Sequence, residues 1–293
     1  MRQLFMVLAA TAALTGTGAT AAPSDIPAAV YADPAPDPAH PPHSAQVLIP
    51  SGGVGMNALF YLAGGAGPHP TLLLLHGLPG NEQNLDLAQA VRRAGWNVLT
   101  MHYRGSWGSP GTFSITHVME DADAAIAFLH QPDIAARYGI NTRRIFIGGH
   151  SMGGFATAAH AHKDPDLAGV ILIDAWDAGL SGAQFARLYP ESRDALAAKE
   201  FDDFGNSLNG ATPQSIAADW DFMAWGPGLA RHPLLVIGAA QALGPVDHAL
   251  AQAVIKAGGN VTDIILPTDH SFSDHRIEME ADVVRWLEAL PAR

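Results

Sequence analysis

One pentapeptide combines a nucleophilic side chain with the backbone freedom that would expose it. Gly149-His150-Ser151-Met152-Gly153 has the spacing G-x-S-x-G, with the apolar run 144–148 before it and an alanine-rich segment after it. This order predicts a strand, a sharp turn and a helix, with the Ser151 hydroxyl at the tip of the turn. Glycines at 149 and 153 remove side chains that would collide across so tight a turn. The pattern therefore predicts a serine nucleophile.

A serine hydroxyl is a weak nucleophile until a base takes its proton, and His270 is the candidate base. It directly follows the last strand-like run, within Pro267-Thr268-Asp269-His270-Ser271-Phe272. In open parallel sheets, functional sites form at the carboxyl ends of the strands, and Ser151 and His270 both follow such ends. Most of the other histidines are expected to be hydrogen-bonded structural residues.

Acyl transfer also requires N–H groups that stabilise the developing oxyanion. One candidate is the amide of Met152, at the start of the helix that follows the nucleophile. A second is expected in His76-Gly77-Leu78-Pro79-Gly80, which follows the third strand-like run. Proline has no N–H, so Leu78 is the predicted donor, and the glycines would let the backbone approach a substrate.

The elements that must position these residues alternate between strand-like and helix-like segments. Continuous apolar runs such as 71–76 suit strands buried on both faces of a parallel sheet. The sequence predicts an α/β protein with a mainly parallel central sheet and helices on both faces. The predicted strands cover 45–50, 57–63, 71–76, 96–101, 144–148, 169–174, 233–238 and 261–266, and the predicted helices cover 83–94, 115–130, 153–162, 246–256 and 276–290.

The alternation is interrupted by a segment without strand-like runs, residues 175–232. It contains helix-like pieces over 182–188, 192–204 and 213–224, so it is expected to be a helical cap inserted into the sheet domain. Its aromatic residues have two open interpretations: they line an apolar acyl pocket, or they pack the cap onto the body. They are Trp176, Phe185, Tyr189, Phe204, Trp220, Phe222 and Trp225.

Composition limits the classes of protein that this chain could be. Its 293 residues, 48% hydrophobic and 15% charged, suit one large α/β domain or two small ones. A net charge of −12 without a Lys/Arg-rich run argues against a nucleic-acid partner. The absence of cysteine excludes disulfides, thiolate metal sites and a cysteine nucleophile. No H-E-x-x-H zinc signature, P-loop or dinucleotide fingerprint occurs, so neither a metal nor a cofactor is predicted.

The N-terminus has the features of an export signal. Arg2 is followed by the apolar stretch 4–14 and by Ala19-Thr20-Ala21, an A-x-A cleavage pattern. The apolar stretch is too short to span a bilayer, and no other stretch is long and apolar enough. We expect a cleaved signal peptide over 1–21 and a soluble periplasmic or secreted protein. Residues 22–44, rich in Pro, Ala and Asp, are predicted to form an extended linker before a folded domain over 45–293. The oligomeric state is left open.

Together the motifs resemble the α/β-hydrolase superfamily over essentially all of residues 45–293. The resemblance is carried by the segments 76–80, 149–153 and 269–272. Tyr103-Arg104-Gly105-Ser106 is similar to a segment of prolyl-oligopeptidase-like and dienelactone-hydrolase-like members. The resemblance implies the α/β-hydrolase fold and a serine hydrolase that cleaves a small carboxylic ester. A short peptide or amide is the alternative substrate.

The chain departs from the superfamily pattern at the catalytic acid. The resemblance implies a carboxylate after the strand 234–238, about four residues before a proline, but Gln241 stands there. Asp247, on the same loop or at the start of the next helix, is the preferred replacement, and Asp177, after the sixth strand, is the next choice. Without a carboxylate, the imidazole would lack its orienting partner and its charge stabilisation.

Further possibilities for the acid remain open from the sequence. Asp174 also follows the sixth strand, and Asp269 and Asp274 flank His270, although direct neighbours rarely reach its far nitrogen. Gln241 itself could orient His270 without charge. The missing acid also leaves room for a third function, a non-catalytic binding protein built on a hydrolase fold.

Overall fold

The computed structural model describes residues 26–181 and 220–291, which are built around one eight-stranded sheet. The strands are β1 (His43–Ser51), β2 (Val54–Leu62), β3 (His69–Leu75), β4 (Asn97–Met101), β5 (Ile140–His150), β6 (Gly169–Ile173), β7 (Leu234–Ala239) and β8 (Val261–Leu266). The helices are α1 (Ala28–Tyr31), α2 (Leu85–Arg93), α3 (Ile115–Leu129), α4 (Pro132–Tyr138), α5 (Met152–Ala161), α6 (Phe222–Leu229), α7 (Gly244–Lys256) and α8 (Arg276–Ala289). None of these helices is long and apolar enough to cross a membrane.

The strand order is β1-β2-β4-β3-β5-β6-β7-β8. β1 pairs antiparallel with β2, and β2 antiparallel with β4, whereas every pairing from β4 to β8 is parallel. The central strands are buried along their whole length, as in β4, β6 and β7, because helices cover both sheet faces. The predicted α/β-hydrolase fold, with a mainly parallel sheet, is confirmed.

Two apolar layers hold the helices to the sheet. One layer joins residues of α3, α5, α6 and α7 to one face, and the other joins residues of α2 and α8 to the opposite face. Because β5 lies between β3 and β6 in the middle of the sheet, the carboxyl end of β5 is surrounded by the loops that follow its neighbours. This is the place where a ligand would bind in an open α/β sheet.

The predicted strands agree with the observed ones to within a few residues, but two helices were not anticipated. Helix α4 begins with Pro132 at its first turn and ends at Gly139, whose φ of 61° lies in the left-handed region. Helix α1 lies inside the segment 22–44 that was predicted to be extended. The Arg93 side chain fixes it by donating to the carbonyls of Ala29 (2.5 Å) and Val30 (2.9 Å). A basic side chain on α2 thus satisfies the carbonyls of a helix too short to be stable alone.

The predicted signal peptide over 1–21 and most of the predicted cap lie outside the described residues. This includes the helix-like pieces over 182–188, 192–204 and most of 213–224. Within the described part of 175–232, α6 packs against the body, and its Phe222 and Leu229 are fully buried. Asp221 caps α6 by accepting from the Met223 amide at 2.8 Å.

Glu280 on α8 gives the stability of the fold a specific pH dependence. Burial, the charge of Asp86 and a hydrogen bond with the Asp86 carboxylate raise the pKa of Glu280 from 4.5 to about 7. Between these two pH values the folded protein keeps a proton that the unfolded chain has lost. Stability therefore falls as the pH rises from 4.5 to 7 and stays lower above it.

We expect Glu280→Gln to remove this penalty. The variant should raise the melting temperature at pH 8 by about 2–4 °C, which corresponds to roughly 1 kcal/mol in a domain of this size. It should have little effect near pH 4.5. Thermal unfolding at both pH values measures the difference, with Glu288→Gln, an exposed position on the same helix, as the matched control. Equal shifts at both pH values would contradict the assigned proton.

Candidate active site

Ser151 stands on a strained turn between β5 and α5, as its motif predicts. Its φ of 57° and ψ of −121° are unusual for a residue other than glycine. Three backbone bonds hold this conformation: the Ser151 amide donates to the Ile173 carbonyl (3.1 Å), and the Ser151 carbonyl accepts from Trp176 (2.9 Å) and Phe155 (3.1 Å). The end of β6 and the first turn of α5 therefore fix the serine from both sides.

The two glycines of the motif are required by close backbone contacts. A Cβ atom on Gly149 would lie 2.3 Å from the carbonyl carbon of Gly153, and one on Gly153 would lie 2.2 Å from the Leu75 carbonyl oxygen. No real side chain tolerates these distances. The turn can therefore close over the end of β3 only if both positions lack side chains, which is the reason for the G-x-S-x-G spacing.

The loop 76–80 lies directly against the nucleophile. A Cβ atom on Gly77 would be 2.9 Å from the Ser151 Cβ and 3.4 Å from its Oγ. The carbonyl of His76 accepts from the buried Tyr103 hydroxyl at 3.1 Å, which anchors the start of the loop. Leu78 follows Gly77, and Met152 begins α5, where the first N–H groups have no intrahelical acceptor. The two predicted oxyanion donors thus belong to segments that flank Ser151.

His270 contacts a buried carboxylate, and that carboxylate belongs to Asp174. The Nδ1 atom of His270 lies 2.5 Å from the Oδ2 atom of Asp174. The Asp174 side chain is fully buried, whereas the His270 side chain is 40% exposed and can face a substrate. A carboxylate on Nδ1 fixes the tautomer in which Nε2 is free to accept a proton.

The Asp174 carboxylate is held by the neighbouring strand. Its Oδ1 atom accepts from the amides of Ala239 (2.8 Å) and Leu243 (3.1 Å), at the end of β7 and just after it. The Asp174 amide itself donates to the Ile237 carbonyl at 2.7 Å. Because β6 and β7 are adjacent, a carboxylate that begins after β6 reaches the space beyond the end of β7. Asp174 therefore fills the place in which the superfamily pattern led us to expect an acid from the β7 loop.

The preferred acid, Asp247, and the second choice, Asp177, do not contact His270. Asp247 is buried in the first turn of α7, where its Oδ2 accepts from the Ala175 amide at 2.9 Å. Burial, together with the charge of Asp174, raises the pKa of Asp247 well above its usual value. Asp177 instead accepts from the Leu180 amide at 2.8 Å and caps the turn that follows β6. Placing either carboxylate behind His270 was therefore wrong.

The remaining alternatives also have other partners. Gln241 donates its side-chain amide toward the Pro267 carbonyl at 3.5 Å and does not orient His270. Asp269 accepts from Ser271 and Ser273 within its own loop. Asp274 accepts from the Thr268 hydroxyl at 2.5 Å. The last two acids shape the loop that carries His270 without reaching its ring.

Tyr103-Arg104-Gly105-Ser106 acts as a buried anchor beneath the site. The Arg104 side chain donates to Asp121 (2.5 Å) and to Glu120 (2.5 Å), and the fully buried Asp121 also accepts from the Ser51 hydroxyl at 2.6 Å. This network ties the loop after β4 to α3 and to the turn between β1 and β2. Since Tyr103 holds the His76 carbonyl, the anchor also supports the loop beside Ser151.

Of the aromatic residues of the predicted cap, Phe185, Tyr189 and Phe204 lie outside the described residues, and the other four divide into two groups. Phe222 and Trp225 are buried and pack around the fully buried Phe155 of α5, with ring centroids 6.1 and 5.6 Å away. Trp176 and Trp220 pack on the same ring but remain partly exposed. The first group packs α6 against α5 on the sheet domain. The second group keeps partly exposed rings, and the Trp176 backbone lies beside Ser151, because the Trp176 amide donates to the Ser151 carbonyl.

Known proteins are similar to this chain in sequence and in fold. A sequence model of the serine aminopeptidase S33 family of hydrolases matches residues 66–179. The sn-1-specific diacylglycerol lipase ABHD11 of Xenopus tropicalis is 37% identical over 105 residues, which are 35% of this chain and 30% of that protein. Residues 66–179 are therefore similar in sequence to α/β-hydrolases, and the described part of the chain has the α/β-hydrolase fold. The match with the lipase spans under a third of that protein, so the activity of the lipase is not assigned to this chain.

Solved structures extend the likeness in fold to most of the length of this chain. An esterase of Pyrobaculum calidifontis superposes with a TM-score of 0.61 at 18% identity, covering 86% of this chain and 88% of the esterase. The carboxylesterase EstE1 from a metagenomic library gives 0.64 at 20% identity, covering 86% and 91%. The acylaminoacyl peptidase of Pyrococcus horikoshii gives 0.64 at 16%, covering 86% of this chain and 42% of the peptidase. At these identities the likeness establishes the fold alone.

Proposed function

We propose that this α/β-hydrolase cleaves a carboxylic ester through an acyl-enzyme on Ser151. The observation that carries the proposal is the contact between Asp174 and His270 at the sheet edge where Ser151 stands on its strained turn. Nucleophile, base and acid then come from the ends of β5, β8 and β6. A buried acid, a half-exposed base and a partly exposed serine on a tight turn are the arrangement that nucleophilic acyl transfer requires.

In the proposed reaction, Nε2 of His270 takes the proton of the Ser151 hydroxyl as Oγ attacks the ester carbonyl. The amides of Leu78 and Met152 donate to the oxyanion of the tetrahedral intermediate. The intermediate collapses, the C–O bond to the alcohol breaks, and His270 gives its proton to the departing oxygen. Water then attacks the acyl-enzyme with His270 as base, releasing the acid and restoring Ser151. Asp174 stabilises the imidazolium in both halves of the cycle.

An ester is favoured as the substrate by the surroundings of Ser151 and by the relatives. The partly exposed rings of Trp176 and Trp220 offer an apolar surface for an acyl chain. Two of the structural relatives are named esterases, and the sequence relative is named a lipase. The proposed substrate is therefore a small ester with an apolar acyl group.

The proposed place of action is the periplasm or the exterior of the cell, because Arg2 and the apolar segment after it have the features of an export signal.

A peptidase is the second candidate, since the matching family is described as serine aminopeptidase and one structural relative is an acylaminoacyl peptidase. The same triad would serve, but an amine leaves less readily than an alcohol and needs a better-placed proton from His270.

Parallel assays separate these functions. We expect p-nitrophenyl esters with short to medium acyl chains to be turned over, and aminoacyl- and N-acylaminoacyl-naphthylamides to be cleaved far more slowly. Faster cleavage of the naphthylamides would establish the peptidase. Absence of turnover with every ester and amide, in protein that is folded, would favour the non-catalytic binding protein that the missing β7 acid first suggested.

A further inference from the structure

His150, which directly precedes the nucleophile, makes two contacts with the residue that carries the proposed base. Its Nε2 atom lies 2.8 Å from the backbone carbonyl oxygen of His270. Its ring lies against the His270 ring, with centroids 4.5 Å apart and planes inclined by 35°. The His150 residue is only 7% exposed. One buried side chain thus links the end of β5 to the loop after β8.

The chemistry of the contact fixes the state of His150. A carbonyl oxygen only accepts hydrogen bonds, so Nε2 of His150 must carry the proton. Burial, and next the neighbouring His270, lower the pKa of His150 to about 4, so the ring is neutral at ordinary pH. The other charged groups that act on it are Asp174, which favours the protonated form, and Arg276, which opposes it. A neutral ring can pack on His270 without adding a second positive charge when the imidazolium forms.

The contact with Asp174 holds the His270 ring but not the His270 backbone, which His150 binds. Asp174 holds the ring of His270 at Nδ1, but a single contact at one nitrogen still lets the ring and its backbone shift together. Asp269 and Asp274 shape the neighbouring backbone through bonds to Ser271, Ser273 and Thr268, whereas His150 binds the carbonyl of His270 itself, whose side chain is 40% exposed. A shift of the base by about 1 Å can cost about 100-fold in rate.

We propose that His150 is a positioning residue that sets the distance and angle between His270 and Ser151. His150 is the last residue of β5, and Ser151 follows it directly. The hydrogen bond from His150 to the His270 carbonyl therefore ties the backbone of the base to the strand that carries the nucleophile. The proposal rests on the proposed function of Ser151 and His270. His150 itself takes no part in proton transfer, since its only assigned proton is committed to a backbone carbonyl.

Two variants separate the contributions of the hydrogen bond and the ring. His150→Phe keeps a ring against His270 but loses the donor, whereas His150→Gln keeps an N–H donor and loses the ring. We expect kcat for a p-nitrophenyl ester to fall by about 10- to 100-fold in His150→Phe with KM nearly unchanged. His150→Gln should recover much of that loss. His162→Gln serves as the control, because His162 packs on Trp225 away from the triad.

A second readout does not depend on turnover. The proton on Nδ1 of His270 should give a far-downfield NMR signal in the wild type, and His150→Phe should broaden or shift it while His162→Gln leaves it in place. Wild-type kcat in both His150 variants, or an unchanged Nδ1 proton in both, would overturn the proposal. A wild type that shows the signal but hydrolyses no ester would refute the proposed function instead.

Discussion

Replacing Ser151 with alanine should reduce kcat for ester hydrolysis by about 10⁶-fold, the size of effect seen when a serine hydrolase loses its nucleophile. In the proposed mechanism Oγ of Ser151 is the atom that becomes acylated, so no other group would begin the reaction. The fold should survive, because Ser151 is held through its backbone amide and carbonyl. Initial rates with a p-nitrophenyl ester, together with thermal unfolding, measure both effects.

The matched control is Ser271→Ala. Ser271 is an exposed serine next to His270, and within the described residues its hydrogen bonds are made by its backbone amide and carbonyl. Its replacement should leave kcat within about threefold of the wild type, within the usual range for exposed positions. A Ser151→Ala variant that keeps more than a few per cent of the activity would exclude Ser151 as the nucleophile.

Replacing Asp174 with asparagine should lower kcat by about 10⁴-fold, in line with the same change in a serine protease triad. Asparagine can still bind Nδ1 of His270, but its NH₂ group would favour the wrong imidazole tautomer and its neutral amide would not stabilise the imidazolium. The bonds from Ala239 and Leu243 can be retained by its carbonyl oxygen, so the protein should remain folded.

Asp247→Asn is the matched control for the assignment of Asp174 as the acid. Asp247 is buried next to the Asp174 turn, but its oxygen accepts from Ala175 rather than from His270. Asparagine preserves that acceptor, so we expect activity within about threefold of the wild type. A large loss in Asp247→Asn with little loss in Asp174→Asn would reverse the assignment of the acid. Comparable losses in both would show that the two carboxylates act as one unit.

The strands and the turn that carries Ser151 could be predicted from the sequence because both depend on local patterns. Long apolar runs identify buried parallel strands, and Gly149 and Gly153 report contacts of the turn with its own helix and with β3. The Gly-rich loop 76–80 could be placed beside Ser151 for the same reason, since β3 and β5 are adjacent and parallel. These inferences needed only the alternation of strands and helices.

The acid could not be chosen from the sequence because its position depends on contacts across the sheet. Asp174 begins after β6, but its carboxylate is bound by amides at the end of β7, a relation that only the strand order β5-β6-β7-β8 reveals. A usable signal was nevertheless present: an aspartate that directly ends a fully buried strand must find donors or a cation. The role proposed for His150 was missed because its partner is a backbone carbonyl 120 positions away, which no side-chain pattern records.

Mass spectrometry of the protein after treatment with a fluorophosphonate tests the central claim most directly. We expect one adduct per folded chain, on the peptide that contains Ser151, and no adduct in Ser151→Ala. The rate of labelling should fall strongly in Asp174→Asn and remain near that of the wild type in Asp247→Asn. Folded wild-type protein that takes up no reagent, or takes it up at a residue other than Ser151, would contradict the account.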